Sequence, residues 1–192
     1  MKERAVHARV GELIGRVGRV ARGLQFVDGL SPAQWEALRY VARANRYSRF
    51  PSALAAFLGA TKGTVSQTLI ALEGKGYMRR ERNSPDRRGV QLRLTAAGET
   101  LLERDPLLRL DAAAASLAPE AREALIDGLE SVLLCVRRRA GGSDFGVCEE
   151  CCKFCADGAA DAEDGPHRCG LTGEGLDEND RRLICVSYQA PH

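Results

Sequence analysis

Six of the seven cysteines, Cys148, Cys151, Cys152, Cys155, Cys169 and Cys185, fall in the last 45 of 192 residues. Cys148-Glu149-Glu150-Cys151 is a CxxC, a spacing that lets two thiolates reach one ion from a tight turn. With Cys169 and Cys185 it makes the pattern C-x2-C-x17-C-x15-C, enough for a closed four-thiolate site. One knuckle, where a standard zinc ribbon has two, leaves zinc and an iron–sulfur cluster both open as the bound group. Cys152 and Cys155 form an overlapping CxxC and compete for ligand roles, and His167 is a possible substitute ligand. A thiol–disulfide switch without metal is the principal alternative, and unpaired thiols in a polar tail are the plainest one. Cys135, among apolar neighbours in a helical segment, is expected to be a small core residue.

A second group of residues suits the reading of DNA. Lys62, Thr64, Ser66, Gln67 and Thr68 occupy the first turns of a segment that Thr61 can cap. A helix about 10 Å across fits the major groove of B-DNA, where its N-terminal side chains reach base edges. Gln makes a two-point contact with adenine, and hydroxyls bond phosphates or bases. Gly63 lets the backbone approach closely. Downstream, Arg79 and Arg80 lie in a strand-like segment suited to phosphate contacts, and Arg87 and Arg88 lie at a turn, where Arg suits the negative potential of a narrow minor groove. Taken singly, these features have plainer readings. A basic hairpin is also a charged edge defended against aggregation, and helix-turn-helix shapes also serve protein contacts.

The elements that must position these residues are legible in the spacing. Val6, Val10, Leu13, Ile14, Val17, Val20 and Leu24 recur at steps of three and four, which predicts an amphipathic helix over 5–25. Ser31-Pro32-Ala33-Gln34 combines an N-cap, a proline at the first helical position and a capping box, opening a helix to about Asn45. A short helix from Pro51 or Ser52 to Leu58 ends at Gly59. Another runs from Lys62 to about Lys75 and closes at Gly76. The period then changes to two. Segments 77–82 and 89–94 flank Asn83-Ser84-Pro85-Asp86-Arg87-Arg88, which predicts a β-hairpin with a basic tip. Thr95 caps a helix that breaks near Asp105-Pro106, and a last helix covers about 118–139. Beyond Gly141-Gly142-Ser143, residues 144–192 are too polar to order themselves without a staple.

Charge divides the chain. Residues 1–98 carry 18 Lys and Arg against 7 Asp and Glu, whereas residues 99–192 carry 10 against 19. A basic half inside a chain of net charge +2 points to a polyanionic partner. The acidic tail is disfavoured for DNA contact and is expected to act on dimer geometry or stability. No run of about 18 uncharged apolar residues is present, so no membrane partner is expected. The charged N-terminus lacks a signal-peptide core, which leads to an expectation of cytoplasmic location. There is no P-loop, no GxGxxG after a strand and no GxSxG, and the three histidines are scattered. No enzyme is expected.

The succession Pro51-Ser52-Ala53-Leu54-Ala55, Gly63-Thr64-Val65-Ser66-Gln67, Leu72-Glu73-Gly74-Lys75-Gly76-Tyr77, Asp86-Arg87-Arg88 and Leu94-Thr95-Ala96-Ala97-Gly98 resembles the MarR family of bacterial transcriptional regulators over about residues 30–100. The resemblance implies a mainly α fold with a β-hairpin wing, in which residues 1–140 form a winged helix-turn-helix and dimerisation domain and 144–192 a cysteine-rich extension. It also implies a homodimer, joined by its N- and C-terminal helices, on an inverted-repeat operator, usually as a repressor. Asp86 would brace the wing by a salt bridge to Arg88, and Arg87 or Arg88 would enter the minor groove. The family also implies a small aromatic effector, for which the sequence marks no pocket. The tail resembles C-terminal extensions of some proteobacterial MarR-like regulators, with matching positions at Cys148, Cys151, Cys169 and Cys185.

Overall fold

The computed structural model describes residues 2–82, 90–139, 145–157 and 165–191. Its first helix, α1 (Lys2–Leu24), is followed by α2 (Pro32–Arg43), α3 (Pro51–Leu58) and α4 (Lys62–Gly74). The hairpin β1 (Met78–Arg82) and β2 (Val90–Leu94) comes next, then α5 (Ala96–Leu102), α6 (Leu108–Ala115) and α7 (Pro119–Arg139). Each boundary has a local cause. Ser31 and Gln34 form the expected reciprocal capping box of α2. Gly59 ends α3 in the left-handed region at φ 59°. Thr61 and Thr95 cap α4 and α5 by accepting from the N–H groups of Thr64 and Gly98.

Helices α2, α3 and α4 and the wing enclose one apolar core. Trp35, Leu38, Leu54, Leu69, Leu72 and Leu92 are fully buried there, each worth about 1.5–3 kcal/mol of transfer free energy. Strands β1 and β2 are antiparallel, with Met78 opposite Leu94 and Arg80 opposite Leu92. Thr95 Oγ1 also donates to Gly76 O at 2.6 Å, tying the start of α5 to the turn that follows α4. A side chain at Gly98 would place its Cβ 2.1 Å from Tyr77 O. The Thr95-Ala96-Ala97-Gly98 motif is therefore a packing device, with one residue to cap and one to permit close approach.

The break at Asp105-Pro106 is held from α2. Arg39 makes two hydrogen bonds to the Asp105 carboxylate, at 2.5 and 2.9 Å, and Asp105 Oδ1 accepts from the Leu107 N–H. The outer helices are different in kind. Val6, Val17 and Val20 on α1, and Leu125, Leu129, Leu133 and Val136 on α7, are exposed within one chain. Cys135 is exposed on α7, contrary to the core position expected for it. Its apolar neighbours Val132, Leu133 and Val136 are exposed as well.

The tail is ordered by pairing with itself and with the lobe. β3 (Gly146–Val147) pairs with β7 (Ile184–Cys185), and β4 (Phe154–Cys155), β5 (His167–Cys169) and β6 (Gly175–Leu176) form a three-stranded antiparallel sheet. Ile184 is buried in the lobe's core and bridges to Ala44. Phe145 packs edge-on to Phe57, ring centroids 5.3 Å apart. The tail therefore docks on the connector between α2 and α3. Among the described residues no helix is long and apolar enough to cross a membrane.

Candidate functional site

On α4 a buried apolar face separates from an exposed polar one. Val65, Leu69 and Leu72 are buried, whereas Lys62, Thr64 and Gln67 are exposed and Ser66 and Thr68 half-buried. Two of the predicted contacts are partly spent within the helix. Thr64 Oγ1 meets the Thr61 cap at 2.9 Å, and Thr68 Oγ1 donates to Thr64 O at 3.1 Å. Lys62 and Gln67 stand as the long polar side chains at the helix start.

The wing's base is a lattice of ion pairs. Glu81 accepts from Arg79 and from Arg93, both at 2.7 Å. The hydrogen bond from Arg79, joined by that from Arg93, holds the Glu81 carboxyl below its usual range. Glu73 receives both the backbone N–H and the guanidinium of Arg80, at 3.0 and 2.8 Å. Arg79 and Arg80, expected to hold phosphates, are thus exposed but each engaged with a carboxylate of the same chain. Asp86, Arg87 and Arg88 lie outside the described residues. A polar cleft of about 240 Å³ beneath the wing is lined by Val41, Arg49, Arg79, Arg93 and Glu99 among others. Burial, and then the neighbouring Arg93, lower the pKa of Arg49 there.

The cysteines sort themselves into two sets. Cys148, Cys151, Cys169 and Cys185 line a single cavity of about 30 Å³, together with Asn45, Phe154, Leu171 and Leu176. Cys152 and Cys155 are exposed, their thiols directed to Gln189 Oε1 at 3.8 Å and Lys153 O at 3.9 Å. His167 is buried but braces the tail, with Nε2 3.1 Å from Glu178 and Nδ1 accepting from the Asp157 N–H. Among the described residues, no three His, Cys, Asp or Glu side chains gather closely enough to hold one metal ion.

Around the cavity the sulfurs receive hydrogen bonds. The Asn45 side-chain amide donates to Cys148 Sγ and the Gln189 N–H to Cys151 Sγ, both at 3.4 Å. A hydrogen bond from the Cys148 thiol lowers the Cys185 pKa to about 6, with further help from the Ser187 N–H and the Asn45 side chain. The same bond, and then burial, push the Cys148 thiol up. Beside the cavity, Arg46 reaches Gly175 O and the Tyr47 hydroxyl reaches Glu174, fastening the connector to β6 and the loop before it. Burial is the main reason that the Tyr47 pKa is raised, and the Glu174 contact adds to it.

Sequence comparison matches residues 28–89 to the MarR family. This segment spans α2, α3, α4 and the first wing strand. Its helices and first wing strand form a winged helix-turn-helix similar to that of the MarR family. The family is one of DNA-binding transcriptional regulators, not of enzymes. No curated protein matches the chain. Solved structures share the MarR fold at low identity. The chain is similar to Streptococcus pneumoniae FabT in complex with DNA, at 22% identity and a TM-score of 0.55, over 71% of this chain and 98% of that one. It is similar to a MarR transcriptional regulator from Methanosarcina mazei Go1, at 20% identity and a TM-score of 0.57, over 68% and 98%. It is also similar to S. aureus MepR in a DNA complex, at 20% identity and a TM-score of 0.53, over 65% and 96%.

These structures are matched over nearly their whole length while about 30% of this chain lies outside the match. The cysteine region is extra to the MarR fold. Sequence reasoning selected the four cysteines that share a cavity, but missed Asn45 and Ser48 of the MarR lobe, which face them. Their only signal was a polar run, Asn45-Arg46-Tyr47-Ser48-Arg49, between two helices. Such a run is also what an ordinary solvated loop contains.

Proposed function

We propose that the protein binds an inverted-repeat operator in duplex DNA as a homodimer and represses the gene beside it. The observation that carries this reading is the division of α4, with Val65, Leu69 and Leu72 packed inward and Lys62, Thr64 and Gln67 left to solvent at its N-terminal end. The exposed apolar stripes of α1 and α7 supply a face for a second copy. A twofold axis there sets two reading helices about 34 Å apart, one turn of DNA. In this assembly Lys62, Ser66 and Gln67 read the major groove, and Arg87 and Arg88 of the wing reach the minor groove. The protein acts in the cytoplasm.

Selection of bound sequences from a random duplex pool, followed by fluorescence anisotropy on the selected site, tests the reading. A palindromic consensus is expected. Affinity should fall by about 10³–10⁵ between 50 and 200 mM salt if about six to ten phosphates are contacted. Arg87→Ala or Arg88→Ala should cost about 1–3 kcal/mol. Failure to enrich any sequence would remove the operator reading and leave a protein-binding winged helix.

The cysteine tail belongs to the same proposal. Cys148, Cys151, Cys169 and Cys185 form a four-thiolate centre for zinc or an iron–sulfur cluster, supported by their common cavity and by the N–H donors aimed at their sulfurs. Either group would supply folding free energy to a tail with little apolar core of its own. Serine substitution at each of the six tail cysteines, with metal quantification on protein purified without oxygen, tests the ligand set. Retention of metal by the Cys152 and Cys155 variants and its loss from the other four is the expected result. A native protein without bound metal would favour a thiol–disulfide switch.

A further inference from the structure

One large apolar side chain stands on the outer face of α4. Ile70 is 50% exposed. Among the described residues between Pro32 and Leu102, no other large apolar side chain is as exposed; the others lie on or beside α1, α6 and α7, or in the tail. A single exposed apolar side chain is ordinary on a protein surface. Ile70, however, occupies the side of the helix that points straight away from the core. Val65, Leu69 and Leu72 mark the inner face of α4. At about 100° of turn per residue, Gly63, Gln67, Ile70 and Gly74 all fall within about 40° of the opposite side. Thr64 and Ser66 flank them.

Two of those four outward positions carry no side chain. Glycine is a poor helix former, and nothing within the chain calls for it here. A Cβ at Gly74 would meet no atom within 4 Å, and one at Gly63 would meet Thr61 Oγ1 at 3.8 Å, an ordinary contact. A surface laid against this stripe therefore comes close to the backbone at both ends and meets Gln67 and Ile70 between them. These two side chains lie three residues apart, about 4.5 Å along the helix axis, near the rise of about 3.4 Å between base pairs. In the major groove, Gln makes a two-point contact with adenine, and thymine displays the only methyl group on the base edges. A branched aliphatic side chain has no hydrogen bond to offer a base, and it gains by covering such a methyl group.

We propose that Ile70 is a specificity-determining residue, packing against the C5-methyl group of one thymine in each half-site beside the base pair that Gln67 addresses. This assignment rests on the reading of the protein as a DNA-binding regulator with α4 in the major groove.

The test uses the full chain and the duplex selected from the random pool. Deoxyuridine replaces thymine at one position at a time, first in one half-site and then in both. The exchange removes a methyl group and leaves every hydrogen-bonding group of the base pair in place. Burial of one methyl-sized group corresponds to about fourfold in affinity. One thymine position should therefore lose about threefold or more when a single half-site is changed and about tenfold when both are. Ile70→Ala should lose affinity for the thymine duplex to a similar extent and bind the thymine and uracil duplexes equally. Selection repeated with this variant should lose the thymine while keeping the position read by Gln67. Ile70→Val, which retains the branched methyl groups, should keep the thymine preference. Both variants should fold, since the side chain is half exposed, and circular dichroism with gel filtration checks this. A selected site with no uracil-sensitive thymine, or one whose sensitivity survives in Ile70→Ala, would overturn the assignment and leave the regulator reading intact. Failure to select any sequence would overturn that reading and the assignment with it.

Discussion

Asn45 donates its side-chain amide to Cys148 Sγ at 3.4 Å across 103 residues of sequence. That bond joins the residue just past the C-cap of α2 to the first cysteine of the tail. It makes the cysteine region part of the winged-helix lobe. Ile184 does the same through packing, since it belongs to the core that also holds Trp35 and Leu54.

Glu73 engages a basic residue that the sequence reading assigned to phosphate contact. Its carboxylate holds both the backbone and the guanidinium of Arg80. Glu73→Gln should free the guanidinium and raise affinity for any duplex by about two- to tenfold, with a salt slope steeper by about one. Anisotropy titrations on specific and random duplexes at several salt concentrations measure both effects. A gain confined to the specific site would argue against a phosphate contact.

Gly98 is a packing requirement. Gly98→Ala drives a Cβ to 2.1 Å from the Tyr77 carbonyl oxygen and should destabilise the lobe by about 1–3 kcal/mol. Gly74→Ala, with nothing within 4 Å of the new Cβ, should be neutral or stabilising by up to about 1 kcal/mol. Urea denaturation of the two variants side by side provides the comparison, and equal midpoints would contradict it.

Leu129 lies in the exposed stripe of α7. Light scattering should give a particle near twice 20.8 kDa for the native chain. Leu129→Asp should yield a folded monomer whose operator affinity is reduced by at least about a hundredfold, because one lobe then binds one half-site. A monomeric native protein at micromolar concentration would remove the twofold arrangement.

Gln67 and Lys62 should separate by the kind of loss they cause. Gln67→Ala is expected to relax preference at one base pair, by about 1–3 kcal/mol of discrimination. Lys62→Ala should weaken all duplexes alike if Lys62 contacts phosphate. Binding-site selection repeated with each variant distinguishes the two, and an unchanged consensus for Gln67→Ala would take that residue off the base edges.

Local physical rules made much of the fold legible in the sequence. Ser31, Thr61 and Thr95 cap the helices that their neighbours predicted, because capping is decided within four residues. Alternation of Val90, Leu92 and Leu94 located a wing strand for the same reason. The spacing of Cys148, Cys151, Cys169 and Cys185 singled out the four thiols that share a cavity, and left Cys152 and Cys155 as competitors that the structure turns to the surface. Tertiary structure alone decided where that cavity lies. The contacts of Asn45 with Cys148, of Ser48 with Val186 and of Ile184 with the lobe join segments more than a hundred residues apart, and no local pattern encodes such pairings. It also decided that Cys135 is exposed and that Arg79 and Arg80 are engaged by carboxylates. These outcomes depend on which surfaces meet, and a helix face or a strand edge does not carry that information until the chain has closed on itself.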